Sequence, residues 1–211
     1  RFGPDGKLYV SVGDATNHLA AQDLSMLNGK ILRLNPDGTI PDDNPFPGSP
    51  IFLYGTRNVF GMDFLGNTLY FTDNGPVGHD EVNIGVAGGN FGWPYYAGNV
   101  SWADYEAGFA PTEEAIPEGN YIDSIIDFTP SVAPTGMAYY SGDKLGGRPY
   151  TRVVFLGSFL NYNLTALRLG EGGWYIEDVL RVGFPILGMI DGPDGHLYLS
   201  TFDKIVRVIL V

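Results

Sequence analysis

Residues 3–11 read GPDGKLYVS, and residues 192–200 read GPDGHLYLS. In both copies Pro fixes φ, Asp hydrogen-bonds its own backbone and Gly accepts a positive φ, so the first four residues predict a tight turn. The alternating apolar residues that follow predict a β-strand. Weaker copies occupy 66–72 (GNTLYFT) and 151–158 (TRVVFLGS), so the unit of turn and strand recurs along the chain.

Further strand patterns flank these copies. One is predicted after each unit, over Lys30–Asn35, Asp80–Ile84, Asn163–Leu169 and Lys204–Leu210. Another precedes three of the units, over Phe60–Phe64, Gly136–Tyr140 and Ile186–Ile190. Three or four short antiparallel strands per unit predict an all-β fold, a β-propeller with about four blades present. A β-sandwich with glycine-rich turns is the alternative.

The first unit begins at its second strand, so we expect its opening strand upstream of Arg1. We therefore interpret residues 1–211 as a single β-propeller domain that is part of a larger propeller, since propellers close with typically 4–8 blades. An open propeller exposes strand edges that can pair with another chain, which predicts self-association. The longest insertion, Ala87–Asp127, is expected to be a functional loop.

The composition restricts the class of protein. Lys and Arg number 12 against 24 Asp and Glu, and the net charge of −12 argues against nucleic-acid and anionic-membrane partners. Hydrophobic residues make up 44% of the chain, which is enough for a packed core. The sequence has no Cys, which excludes disulfides, thiolate metal sites and cysteine nucleophiles.

Two segments carry residues suited to binding chemistry. Arg57 and Asn58 combine a forked cation with an amide, a pair that suits an anionic or quinone oxygen. A structural arginine bonded to backbone carbonyls is the alternative at this position. The loop 75–81 (GPVGHDE) is glycine-rich and ends in two acids, so its carbonyl and carboxylate oxygens suit a hard cation such as calcium. An acidic solvated turn is the alternative there.

Histidine is scarce in this sequence. His18, His79 and His196 each lie in a predicted loop and are expected at the surface. Their spacing matches no metal-ligand pair, and the chain has no GxSxG elbow and no phosphate-binding P-loop.

Five segments occur in one order along the chain: NGKILRLNPDGTIPDDNPF (28–46), YGTRNVFGMDF (54–64), TDNGPVGHDEVNI (72–84), GGNFGWP (88–94) and PSVAPTGMAYYSG (130–142). Together they resemble the soluble glucose/sorbosone dehydrogenase family, the PQQ-dependent aldose sugar dehydrogenases, over nearly the whole chain. The resemblance implies a six-bladed propeller that oxidises the C1 hydroxyl of aldose sugars to lactones. It also implies pyrroloquinoline quinone (PQQ) held by calcium (Ca2+), a small-molecule sugar substrate and a periplasmic or extracellular location.

The resemblance assigns cofactor contacts to particular residues. Arg57 and Asn58 match the pair that contacts the quinone oxygens of PQQ. Gly75 and Pro76 match the pair whose carbonyls bind the PQQ calcium. Ser131 matches a hydroxyl residue that contacts the cofactor.

A second, structural calcium is also implied by the resemblance. Glu81 matches its side-chain ligand, and Phe91 matches the position that lends it a backbone carbonyl. Trp93 also matches a position of the family, and we interpret it as a packing residue.

The sequence departs from the family at three places. The family's catalytic base, a His, would lie upstream of Arg1, so no residue of this chain is assigned as catalytic. Pro185 and Leu187 stand where the family usually has an Arg-x-Arg that holds the cofactor carboxylates. Leu160 stands where some members have a cofactor-contacting Lys.

These departures leave other functions open. The chain could be a non-catalytic, calcium-stabilised propeller that has lost the cofactor and serves as a binding module. A lactonase-like hydrolase is a weaker alternative, and the order of the five segments argues against it.

Overall fold

The computed structural model describes residues 1–101, 121–145, 150 and 152–209. These residues are almost entirely β-structure, with one short 3₁₀ helix, η1, at His18–Ala21. The strands are β1 Leu8–Val12, β2 Lys30–Leu34, β3 Ile51–Tyr54, β4 Val59–Leu65, β5 Thr68–Asp73, β6 Asp80–Ile84, β7 Tyr96–Ala97, β8 Val100–Ser101, β9 Ile126–Phe128, β10 Pro134–Tyr140, β11 Val153–Ser158, β12 Asn163–Gly170, β13 Gly173–Arg181, β14 Gly188–Asp191, β15 Leu197–Ser200 and β16 Ile205–Arg207. The all-β prediction is confirmed.

Four antiparallel sheets follow one another along the chain. Sheet 1 has the order β1-β2-β3, sheet 2 β4-β5-β6-β9, sheet 3 β10-β11-β12-β13 and sheet 4 β14-β15-β16, and β7 and β8 form a separate hairpin. The first strands of sheets 2, 3 and 4 lie side by side, because β10 packs against β4 and against β14. Sheets that meet along their first strands form the blades of a propeller, so the prediction of about four blades is confirmed.

Apolar clusters fill the spaces between neighbouring sheets. Sheets 1 and 2 enclose a cluster that includes Tyr9, Leu53 and Phe71, and sheets 3 and 4 enclose one that includes Phe155 and Leu197. Alternation along each strand supplies one apolar face to each neighbouring sheet. The hydrophobic pattern of the repeats therefore determines how the blades pack.

The repeated turns have the predicted geometry. Gly6 and Gly195 adopt φ of +73° and +78°, which favours glycine. The Asp5 carboxylate accepts the Lys7 N–H at 3.1 Å, and the Asp194 carboxylate accepts the N–H two residues later at 3.3 Å. The same turn thus opens the second strand of sheet 4 and the first strand of sheet 1.

Strand positions differ from the sequence prediction mainly at the outer edges of the sheets. The last strand is β16, shorter than the predicted Lys204–Leu210, whose final residue lies outside the described residues. The long strand β13 was not predicted. The Ala87–Asp127 insertion, expected to be a loop, contains β7, β8 and the start of β9, and residues 102–120 of it lie outside the described residues.

The topology gathers a set of loops at one end of the propeller. Each connection between two sheets enters the first strand of the next sheet at this end. Because neighbouring strands are antiparallel, the connection between the second and third strands of each full sheet lies at the same end. This end therefore collects 55–58, 74–79, 129–133, 159–162, 182–187 and 201–204, and the long β1–β2 connection. Within the described part of the chain, no helix is long and apolar enough to cross a membrane.

Candidate functional site

Arg57 and Asn58 connect β3 to β4, and one carboxylate holds the backbone of both. The Arg57 N–H donates to Asp73 Oδ2 at 2.8 Å, and the Asn58 N–H donates to Asp73 Oδ1 at 2.5 Å. Asp73 is the last residue of β5 and is only 5% exposed. The position of the Arg57–Asn58 pair is therefore set by the end of a central strand of sheet 2.

The Arg57 side chain turns back onto the residues that follow Asp73. Its Nη1 donates to the carbonyl of Asn74 at 2.7 Å and to that of Gly75 at 3.3 Å. The guanidinium also lies 5.7 Å from the centroid of the Trp93 ring, a cation–π distance. Arg57 Nε is buried and has no hydrogen-bond partner among the described residues. Arg57 is thus a structural arginine bonded to backbone carbonyls, as the alternative interpretation of the sequence had it. Its Nε–H is in addition available to a ligand.

Gly75 occupies a position where only glycine fits. A Cβ there would fall 1.8 Å from the Gly78 carbonyl oxygen, well inside van der Waals contact. The Gly75 N–H donates to Asp80 Oδ1 at 3.0 Å, which fixes the start of the loop to β6. Pro76 follows it in the same half-buried turn. The structure thus brings Arg57 and Gly75 together, as their assigned roles require.

Ser131 is tied to the same loop through a buried carboxylate. Its hydroxyl donates to Asp80 Oδ2 at 2.6 Å, and the N–H groups of Val132 and Ala133 donate to that oxygen at 2.8 and 2.7 Å. Asp80 is fully buried and accepts the Gly75 N–H with its other oxygen. Asp80 therefore links the Gly75 loop of sheet 2 to the connection that enters sheet 3.

The β1–β2 connection adds a group that the sequence analysis did not assign to the site. Asp14, 6% exposed, accepts the Trp93 indole N–H at 2.9 Å, and its carboxylate lies 2.5 Å from His18 Nδ1. The Asp14 N–H donates to the Arg57 carbonyl at 2.8 Å. His18 was expected at the surface and Trp93 only in packing, but both belong to a hydrogen-bonded network beside Arg57.

A buried lysine holds this connection in place. Lys30 is fully buried, and its Nζ donates to the carbonyls of Ala20, Ala21 and Asn28 at 2.8, 2.9 and 2.7 Å. Burial lowers the pKa of Lys30 to about 8. The three carbonyls fix η1 against β2, so the loop that carries Asp14 is anchored at its far side.

Glu81 forms a second buried acidic position next to the site. It faces Asp73 across the β5–β6 pair, and its carboxylate accepts the Asn83 side-chain amide at 2.8 Å and the Gly98 N–H at 2.5 Å. Burial, together with the Asp73 carboxylate, raises the pKa of Glu81 to about 8. Phe91 packs in the core against Phe71 at 5.0 Å between ring centroids.

The donor set at these positions fits a hard cation. The side-chain oxygens Asn74 Oδ1 and Asn83 Oδ1 are buried and have no hydrogen-bond partner among the residues described. Asn74 lies next to the Gly75 carbonyl and Asn83 next to the Glu81 carboxylate, and neutral oxygens with a carboxylate are the ligands that calcium prefers. Described residues contain no cluster of three or more His, Asp or Glu side chains arranged around a metal position.

The opposite side of this end of the propeller is apolar. Ile186, between Pro185 and Leu187, is fully buried in the core between sheets 3 and 4. Leu160 is 54% exposed in the β11–β12 connection. The Lys204 ammonium lies 5.6 Å from the centroid of the Phe184 ring. On this side, Lys204 is a cation that an anionic ligand could contact.

The two remaining histidines lie in loops, as predicted. His79 Nδ1 is 2.8 Å from Asp127 Oδ2, so this loop is tied to β9. His196 Nδ1 is 3.3 Å from Asp194 Oδ2 within the repeated turn of sheet 4.

Comparisons with known proteins agree with this architecture. The family described as glucose/sorbosone dehydrogenase matches residues 1–209. The chain is 32% identical over 212 residues to aldose sugar dehydrogenase YliI of Escherichia coli (strain K12), covering 95% of this chain and 55% of that protein. It is 39% identical over 134 residues to quinoprotein glucose dehydrogenase B of Acinetobacter calcoaceticus, covering 50% of this chain and 28% of that protein.

Solved structures of aldose sugar dehydrogenases are also similar to this chain. The soluble aldose sugar dehydrogenase of Escherichia coli in its apo form superposes with a TM-score of 0.80 at 30% identity, covering 98% of this chain and 61% of that chain. The PQQ-bound aldose sugar dehydrogenase of Streptomyces coelicolor superposes with a TM-score of 0.74 at 29% identity, covering 95% and 54%. The chain spans about half the length of the full-length curated relatives it matches.

Proposed function

The chain belongs to the glucose/sorbosone dehydrogenase family, and on that basis we propose that it carries part of the active site of a PQQ- and calcium-dependent enzyme that oxidises the C1 hydroxyl of aldose sugars to lactones. The observation that supports this most directly is the convergence of Arg57, Asn58 and the Gly75 loop at one end of the propeller. The proposal includes a periplasmic or extracellular location and a small-molecule sugar as the substrate, as the family resemblance implies.

The residues of this chain have distinct parts in the proposal. PQQ, when bound, supplies a quinone that can accept a hydride. Arg57 places a cation with an uncommitted Nε donor at the site, and such a preorganised donor stabilises negative charge that develops on an oxygen. Asn58 adds an amide, and the Gly75 and Pro76 carbonyls would hold the calcium. We assign removal of the hydroxyl proton to no residue of this chain.

The anionic end of the cofactor is the weaker part of the fit. PQQ carries three carboxylates, and the loops of sheets 3 and 4 offer apolar side chains at Leu160, Pro185 and Leu187. Lys204 is the cation that these loops present. We therefore propose that affinity for PQQ depends mainly on the quinone end, where Arg57 and the calcium ligands lie.

Sugar-dependent dye reduction by the full-length gene product, with PQQ and calcium supplied, tests this function. Arg57→Ala is expected to lower kcat/KM by about 100-fold or more, because a charge-assisted donor is removed from a preorganised site. Arg207→Ala, which changes an exposed arginine at the end of β16 that points away from the site end of the propeller, is the matched control and should leave the rate unchanged. A wild-type protein that reduces no dye with any aldose would contradict the proposal.

The apolar loop of sheet 4 favours a second candidate, a calcium-stabilised binding module without the cofactor. Titration of PQQ with and without calcium, read by the absorbance of the cofactor, separates the two functions. Saturable, calcium-dependent binding supports the dehydrogenase. No PQQ binding, with a melting temperature that calcium still raises, supports the binding module.

A further inference from the structure

We propose that Asp73 is the positioning residue of this site, the group that fixes the Arg57–Asn58 pair relative to the Gly75 loop. Its two carboxylate oxygens accept the two consecutive backbone N–H groups, at 2.8 and 2.5 Å. A buried carboxylate that receives two backbone donors leaves those residues little freedom in φ and ψ. The inference rests on the proposed function, since it gives Asp73 a role through residues that would contact the cofactor.

The contacts form a closed set between two short segments. Asp73 holds the backbone of Arg57 and Asn58, and the Asn74 N–H donates in return to the Asn58 carbonyl at 3.1 Å. The Arg57 guanidinium then reaches the Asn74 and Gly75 carbonyls. The backbone and the side chain of Arg57 are thus both hydrogen-bonded to residues 73–75. A shift of the Asp73 carboxylate would therefore move the whole of Arg57, including its guanidinium.

The position of Asp73 in a central strand fixes its carboxylate in place. It ends β5, which is paired on one side with β4 and on the other with β6. Residue 73 faces Val59 in β4 and Glu81 in β6. The carboxylate is therefore held from both sides within a four-stranded sheet, while the residues it binds lie in a connection that lacks strand pairing.

The chain contains a matched control for this carboxylate. Asp63 in β4 is likewise 5% exposed and accepts two backbone N–H groups, those of Phe64 and Tyr139, both at 2.8 Å. It also binds the Arg1 guanidinium. Asp63 thus joins sheets 2 and 3 and makes no contact with Arg57, so Asp63→Asn reports the cost of losing a buried carboxylate outside the site.

Asp73→Asn keeps the shape of the side chain but leaves one oxygen for two donors. In the full-length gene product with PQQ, calcium and an aldose, we expect kcat to fall about 10–100-fold with KM for the sugar nearly unchanged, because small displacements of a catalytic group cost that much. Asp63→Asn should lower the melting temperature and leave kcat within about 3-fold of wild type.

A second measurement does not depend on enzyme activity. With selective ¹⁵N labelling, the Arg57 and Asn58 amide protons of the wild type should be protected from exchange, and in Asp73→Asn they should lose protection while other sheet amides keep it. Rapid exchange of both amides in the wild type would overturn the inference.

The outcomes separate this inference from the proposed function. A wild type that turns over sugar, with an Asp73→Asn variant of equal kcat, overturns the inference alone. Equal losses of kcat in the two Asn variants, in step with their melting temperatures, overturn it as well, because the role would then be structural only. A wild type that binds no PQQ overturns the proposed function and the inference together.

Discussion

Aspartates at strand ends organise the residues of the candidate site. Asp14 follows β1, Asp73 ends β5 and Asp80 begins β6, and each accepts hydrogen bonds from a different loop. The donors from these loops, Trp93, Asn58 and Val132, lie 79, 15 and 52 residues away in sequence. Short acidic residues next to glycine are common in exposed turns, so no local pattern distinguishes these three from solvated ones. The sequence therefore pointed to the Arg57–Asn58 and Gly75–Pro76 pairs but not to the carboxylates that hold them.

Glu81 is expected to make the free energy of unfolding depend on pH. Its pKa, raised to about 8 by burial, means that the folded protein binds a proton more tightly than the unfolded chain between about pH 4.5 and pH 8. Stability from this group is therefore present at low pH and is lost as the pH rises toward 8. Asp73, whose pKa burial raises to about 6, acts in the same direction over the lower part of that range.

Thermal melts from pH 5 to pH 8 test this in chelator and in calcium. In chelator we expect the melting temperature to fall by about 3–6 °C across the range. Calcium should remove most of the fall, because a bound cation stabilises the ionised carboxylate. Glu81→Gln should flatten the chelator profile, and Glu171→Gln, at an exposed position in the β12–β13 turn, should leave it unchanged. A calcium-insensitive profile with wild-type slope in Glu81→Gln would contradict the assignment.

At the scale of elements, the alternation of apolar and polar residues predicted the first three strands of most blades but did not predict the fourth strand. The inner strands are buried on both faces, so their apolar residues are dense and their period is clear. The outer strand β13 carries Glu177, Asp178 and Arg181 and is half-exposed along its length. Its sequence therefore shows no clear alternation of apolar and polar residues. The short strand β9 lies inside a long insertion and is recognisable only from its pairing with β6.

The Gly75 loop is the element whose backbone shape matters most. In Gly75→Ala the new Cβ would meet the Gly78 carbonyl oxygen at 1.8 Å, so the turn must open. We expect PQQ affinity and kcat/KM each to fall about 10-fold or more, with a small loss of melting temperature. Gly172→Ala is the control, since nothing lies within 4 Å of a Cβ at that position. Equal effects of the two substitutions would show that the loop shape is unimportant.

At the scale of the whole molecule, the four blades are not equally complete. Sheets 2 and 3 have four strands, and sheets 1 and 4 have three strands among the described residues. The edge strand β16 of sheet 4 carries Ile205 at 75% exposure, and Phe202 beside it is 74% exposed. Large apolar side chains on an unpaired edge favour association with another surface.

Residues 1–211, expressed alone, should therefore self-associate. Light scattering coupled to size-exclusion chromatography is expected to give a mass above 22.9 kDa that rises with concentration. Ile205→Lys should shift the mass toward the monomer, because it places a charge on the exposed edge. Leu169→Lys, a change at a residue 66% exposed near the β12–β13 turn, is the matched control. A monomer at every concentration would refute this expectation.

The three carbonyls around Lys30 have a consequence for how the site responds to its surroundings. The Lys30 ammonium is bound by three backbone carbonyls much as a metal ion would be. Because it is part of the chain, its presence does not depend on the concentration of an ion in solution. The loop at Gly75 would take its ion from the medium. If the Gly75 loop binds calcium as proposed, the side of the site held by Lys30 needs no ion while the other side does, so the concentration of divalent ions would set the fraction of molecules able to bind the cofactor.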